Sequence, residues 1–288
     1  MRRVLVIGAT GNIGRQVVEQ LRDTGCRIRA LSRNPQFANL SSQVEVVYGD
    51  VAAPDTLDEP LRDVDAVFLV WVAPLAAAAP AIERITTRVR RVVLLSSPHR
   101  TAHPFFQQPN ALRAVHAGVE QVIESSAASW TFLRPGVFAL NCLSWWAPQI
   151  REGDVVRWFY AEAATAPIDE RDIAAVAVHA LSDAGVGRKD YVITGPASLT
   201  QREQLQIIGE TIGRSLRYEE LSREAARQHM LAMMPGAIAD MLLDAYAAAV
   251  DRPAFVTSTV ADVTGTPARS FRDWVVDHAD EFASRIPT

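Results

Sequence analysis

A parallel α/β sheet with helices packed on both faces is what this sequence predicts, on three observations. Apolar, strand-like runs alternate with helical stretches through the first half of the chain. Those runs are apolar at successive positions, as strands buried on both faces are. The first of them passes through a glycine-rich turn straight into an amphipathic stretch.

Residues 4–7 form the first strand, and Gly8-Ala9-Thr10-Gly11-Asn12-Ile13-Gly14 follow as the turn. The three glycines serve different ends: one lets the strand turn sharply, one lets backbone amides approach a pyrophosphate, and one lets the helix lie close to the strand. The helix then points its positive end at the anion. This is the build of a dinucleotide cradle, and with the alternation it predicts a doubly wound, Rossmann-type sheet.

Further strands are predicted at 27–31, 44–48, 66–72, 92–96 and 131–133, and helices at 13–23, 54–61, 78–89 and 111–125. Past Asn141 the pattern loosens into a tryptophan-rich segment, a returning strand at 191–194, and helices at 201–212 and 223–234. Residues 1–142 are therefore read as the dinucleotide-binding core. Residues 143–288 are read as a mixed segment that completes the sheet and forms a small cap over the carboxyl ends of its strands, where such sheets bind ligands.

At 288 residues and 49% hydrophobic content the chain buries a large core. A net charge of −4 without a block of like charge points away from a nucleic-acid surface. Cys26 and Cys142 have no metal-ligand or CxxC spacing and are expected as free thiols, with no metal site. No apolar run reaches membrane-spanning length and no leader precedes the first strand, so the expectation is a cytoplasmic protein, monomeric or homodimeric, with no membrane partner.

The end of the second strand distinguishes between dinucleotides. An acid there accepts from the ribose 2′-hydroxyl of NAD; this chain has Ser32-Arg33-Asn34-Pro35 instead. Arg33 suits a 2′-phosphate through charge-assisted hydrogen bonds, and Ser32 adds a hydroxyl, so NADPH is expected. The competing reading of Arg33 is a solvated turn residue. Asp50 is placed toward the adenine or as a cap of the next helix, and Val51, Val70, Trp71, Ser96 and Gly136 complete the predicted cofactor contacts with Thr10, Asn12 and Ile13.

Together with Leu94-Leu95-Ser96-Ser97, His116 with Glu120, Trp130 to Asn141, Asp169 to Ala174 and Thr194-Gly195-Pro196, these motifs resemble the NmrA-like, atypical short-chain dehydrogenase/reductase family over nearly the whole chain. The resemblance implies the fold and NADP binding. It does not imply one activity, because that family holds quinone, enone and carbonyl reductases alongside proteins that only sense NADP.

Related extended enzymes read Tyr-x-x-x-Lys-x-x-x-Glu on the helix after the fifth strand; this chain reads Leu112-x-x-x-His116-x-x-x-Glu120, on one helical face. The usual acid is missing. A quinone or enone tolerates that loss, since hydride addition leaves a stabilised anion that water can protonate. His116 is assigned to the ribose or to proton relay, against a packed side chain, and Ser97 to a cofactor or substrate hydrogen bond, against a local backbone one.

A flat apolar ligand suits Trp71, Phe105, Phe138, Asn141, Trp145 and Trp158, which follow strand ends; the competing reading of each aromatic is core. The expectation is an NADPH-dependent reductase of a small apolar or aromatic quinone, enone or ketone. A non-catalytic NADP(H) sensor, or a non-redox isomerase or cyclase on the same fold, is the alternative.

Overall fold

In the computed structural model, which describes residues 2–108, 111–182 and 187–283, the first half runs β1 (Arg3–Ile7), α1 (Asn12–Leu21), β2 (Arg27–Ser32), β3 (Glu45–Tyr48), β4 (Ala66–Val70), α2 (Ala78–Thr86), β5 (Arg91–Leu95), α3 (Ala111–Glu124) and β6 (Ser129–Pro135). The second half adds α4 (Asn141–Trp145), α5 (Ala147–Glu152), β7 (Val155–Trp158), β8 (Ala164–Thr165), α6 (Glu170–Ser182), β9 (Lys189–Ile193), β10 (Leu199–Thr200) and α7 (Gln201–Thr211). It closes with β11 (Arg217–Glu220), α8 (Arg223–Leu231), α9 (Gly236–Ala247), α10 (Thr259–Thr264), α11 (Phe271–Asp277) and α12 (Ala279–Phe282).

A seven-stranded sheet pairs in the order β3-β2-β1-β4-β5-β6-β9, every pairing parallel. The order reverses between β1 and β4, which opens a crevice at their carboxyl ends. The sheet's side chains explain its two helical layers. Val4, Val6 and Phe68 pack with α1 and α6, whereas Leu5, Val67 and Leu69 pack with α2 and α3. Burying each such aliphatic side chain contributes about 1.5–3 kcal/mol, so strands apolar on both faces hold two layers at once.

β9 and α6 come from beyond residue 143, so the later half does supply a strand and a helix to the sheet. A third cluster lies apart from the sheet, with Trp146, Trp158, Met230, Leu243, Tyr246 and Trp274 at its centre. Cys26 is half-buried and Cys142 buried, both free.

Some predicted boundaries change. The helix expected at 54–61 is a single tight turn, Pro54–Leu57, because Pro60 disfavours helix in the residue before it. β4 stops at Val70, two residues early, and α8 stops at Leu231, ahead of Pro235. The helices α6 and α9 carry no expectation from the sequence.

Candidate active site

The turn after β1 shows a separate requirement at each glycine. Gly8 has φ +89°, a left-handed value, and a Cβ there meets the Val70 Cβ at 2.8 Å. A Cβ on Gly14 lands 2.1 Å from the Gly8 carbonyl oxygen, so only glycine lets α1 lie this close. A Cβ on Gly11 meets nothing nearer than that oxygen at 3.4 Å, and its other side is open. Gly11 N–H donates to Gly8 O at 3.0 Å, which closes the turn, and no side chain caps α1. Thr10 and Asn12 are exposed at its mouth while Ile13 is buried as an anchor.

Arg15 fastens the turn to the segment after β2, donating to the carbonyls of Thr10 (3.1 Å), Asn39 (2.8 Å) and Ala38 (3.0 Å). Arg33 is exposed with no hydrogen-bond or ion-pair partner among the described residues. Ser32 Oγ accepts from Asn34 N–H at 3.1 Å, and Asp50 Oδ1 from Ala52 N–H at 2.9 Å, so both shape local turns. An uncapped helix start, an open glycine face and an unpartnered guanidinium fit a phosphorylated dinucleotide. The side chains of Val51 and Trp71 are buried in the α2–α3 layer. Trp71 continues the alternation of Val67 and Leu69, which turns it into that core and away from the substrate side.

A cleft of about 340 Å³ opens beyond the carboxyl ends of β5 and β6. Ser96, Ser97, His99, His116, Gly136, Phe138 and Asn141 are among the residues that line it. Phe105, Phe106 and Trp145 line it together with Met241, Leu242, Ala245 and Tyr246 of α9. The predicted Ser97, His116, Phe105, Phe138, Asn141 and Trp145 therefore meet around one space. Trp158 does not: it is fully buried, stacked between Trp145 (5.6 Å between centroids) and Phe159 (4.8 Å), and supports Trp145 from behind.

Beneath the cleft lies a network the sequence showed only as isolated residues. Glu120 is fully buried; it takes a two-pronged ion pair from Arg134 and a hydrogen bond from the Ser96 hydroxyl at 2.6 Å. Arg134 also pairs with Asp190 on β9. His99 Nε2 lies 3.4 Å from Glu120 Oε2, and His99 Nδ1 donates to Ser97 O at 3.0 Å. Burial holds His99 below the ordinary imidazole value, opposed by Glu120 and assisted by Arg134. His116 is also held low, first by burial and then by His99, and its Nδ1 has no hydrogen-bond partner among the described residues. Both imidazoles at the cleft are thus biased toward the neutral form. The side chain of Leu112, in the place of the usual acid, lies outside the described residues.

A family profile described as NAD(P)H-binding matches residues 8–184. The chain belongs to this family, the NmrA-like, atypical short-chain dehydrogenase/reductases. A (4-alkanoyl-5-oxo-2,5-dihydrofuran-3-yl)methyl phosphate reductase of Streptomyces griseus is 41% identical over 97% of this chain and 99% of its own. An NAD(P)H azoreductase of Xenophilus azovorans is 35% identical over 98% and 99%. Among solved structures, an NADPH-dependent quinone oxidoreductase of Escherichia coli superposes with a TM-score of 0.81 at 24% identity, covering 95% of this chain and 98% of that one, a likeness of fold. This member of the NAD(P)H-binding family is an NAD(P)H-dependent reductase. No helix among the described residues is long and apolar enough to cross a membrane.

Proposed function

We propose that this reductase uses NADPH to reduce the carbon–carbon double bond of a small, largely apolar conjugated acceptor, an enone or a quinone. The observation that carries the reading is the cleft itself: aromatic and aliphatic walls, two imidazoles held neutral, and Leu112 and His116 where related enzymes place Tyr and Lys.

Gly8, Gly11, Gly14 and the start of α1 would hold the pyrophosphate, and Arg33 with Ser32 the 2′-phosphate. Bound NADPH supplies a hydride from its nicotinamide ring. Ser97 and neutral His116 orient the groups at the β5 end, Asn141 offers an amide to the acceptor, and Phe105, Phe138 and Trp145 hold it flat. Hydride addition at the β-carbon moves the π electrons onto the conjugated oxygen, and the resulting enolate or phenolate takes its proton from water. No strong acid is required for that sequence, which suits a helix that lacks the tyrosine.

The Streptomyces griseus relative supports this choice through the compound in its name. A 4-alkanoyl-5-oxo-2,5-dihydrofuran carries a double bond conjugated to two carbonyls, so its hydride adduct is a 1,3-dicarbonyl enolate. The test follows the label. With NADPH deuterated at the transferable position, a 2-acylbutenolide or cyclic enone should acquire deuterium at the β-carbon. Deuterium on a carbinol carbon instead would establish simple carbonyl reduction and remove the reading.

A further inference from the structure

We infer that Tyr246, on α9, donates a hydrogen bond to the acceptor's carbonyl or quinone oxygen and so replaces, from a different element, the tyrosine absent from α3. The inference rests on the proposed reduction of a conjugated acceptor.

Four observations place the phenol in this role. Tyr246 lines the same cleft as Ser97 and His116. It is 2% exposed, yet its hydroxyl makes no hydrogen bond to any described residue. That hydroxyl is not among the sealed, partnerless polar atoms, in contrast to the indole nitrogens of Trp146 and Trp158, so it keeps some accessible surface on a residue that lines the cleft. The ring is held edge-on by Phe105 (5.1 Å between centroids), Phe159 (5.4 Å) and Trp145 (6.4 Å), and α9 packs on the Pro104–Phe106 turn. Its direction is therefore fixed by packing before any ligand arrives.

Of the other cleft hydroxyls, Ser96 donates to Glu120, and Ser97 Oγ lies 3.3 Å from His99 Nδ1. An unpartnered phenol in an apolar surround forms a stronger hydrogen bond than one in water, and the bond strengthens as negative charge grows on the acceptor oxygen. Burial also pushes the phenol's pKa well above its ordinary value, so the group stays protonated throughout the neutral range. Its part is to stabilise the enolate oxygen through a retained O–H. The hydride and the π electrons end on the acceptor, the proton that completes reduction comes from water, and the tyrosine is unchanged at the end of the cycle.

Tyr246→Phe keeps the ring and its packing and removes one oxygen. We expect kcat/KM for a cyclic enone to fall at least tenfold, with NADPH affinity and the melting temperature unchanged. An independent readout is the affinity for 4-nitrophenol, a stand-in for the anionic adduct, followed by its visible absorbance: wild type should bind about tenfold more tightly than Tyr246→Phe. Substituting 3,5-difluorotyrosine at 246 retains shape and sharpens the donor, and should raise both the rate and the nitrophenol affinity. Wild-type kcat/KM and nitrophenol affinity in a folded Tyr246→Phe, or no change on fluorination, would overturn the inference. If wild type itself reduces no conjugated acceptor, the proposed function fails; if wild type is active and Tyr246→Phe is unchanged, only the role of Tyr246 fails.

Discussion

Arg134 and Glu120 form a two-pronged ion pair beneath the cleft, with Arg134 Nε 3.1 Å from Oε1 and its terminal nitrogen 2.9 Å from Oε2. Their side chains are 3% and 0% exposed, so the pair joins β6 to α3 out of reach of solvent. It also locates Ser96, His99 and Arg100 around one carboxylate.

Removing one partner of such a pair strands the other charge. Glu120→Ala should cost about 3–5 kcal/mol of folding stability. Urea denaturation, read as a shift in midpoint at constant slope, measures it. A change below about 1 kcal/mol would mean that Arg134 finds adequate compensation in Asp190.

The low-held imidazoles make stability depend on pH. The unfolded His116 titrates near its ordinary 6.5, while the folded one titrates below it, chiefly through burial. As pH falls below 6.5 the unfolded chain binds a proton that the folded chain refuses, so stability falls with acid until the folded value is reached. His99 acts in the same direction. Glu170 and Asp172, raised by burial, act oppositely at the acid end, so the clean measurement is a difference. His116→Gln should gain on wild type as pH drops from 7 through 6, and a constant gap across that range would remove the linkage.

At the cradle, two alanine substitutions should separate packing from binding. Gly14→Ala drives a methyl group into the Gly8 carbonyl at 2.1 Å and should lower stability by about 1–3 kcal/mol or more. Gly11→Ala meets only ordinary contact at 3.4 Å, so the protein should melt near wild type and yet bind NADPH weakly. Thermal melts with and without NADPH distinguish the two, and equal melting losses would contradict the division.

Arg33 has no partner among the described residues to lose. Arg33→Ala should leave stability unchanged and weaken NADPH by about 10–100-fold, the value of one or two charged hydrogen bonds, with little effect on NADH. Titration calorimetry of both cofactors tests this; equal losses would return Arg33 to the role of a solvated turn residue.

Sheet and cradle were legible because their signals are local. Alternation predicted six of the paired strands, four of them to within one residue at each end, and β9 from the short run at 191–194. The wall residues Phe105, Phe138, Asn141 and Trp145 were reachable because they follow strand ends. Trp71 and Trp158 misled for the same reason: position along the chain does not say which face of a strand a ring takes, and both turn inward. Helix α9 gave no starting signal, since Pro235 precedes it without a capping side chain and its apolar residues surround most of the helix. Tyr246 was hidden with it. His99 carried no signal along the chain because its partner Glu120 lies on another element, and only folding brings them together.

The most direct measurement is the protein-dependent loss of nicotinamide absorbance from NADPH and, separately, NADH, with cyclic enones, a 2-acylbutenolide and quinones, against blanks without protein. Oxidation of NADPH with at least one conjugated acceptor, and a higher kcat/KM for NADPH than for NADH, is the expected result. Intact NADPH binding in the same samples, with no oxidation by any acceptor, would contradict the proposed reduction of conjugated acceptors.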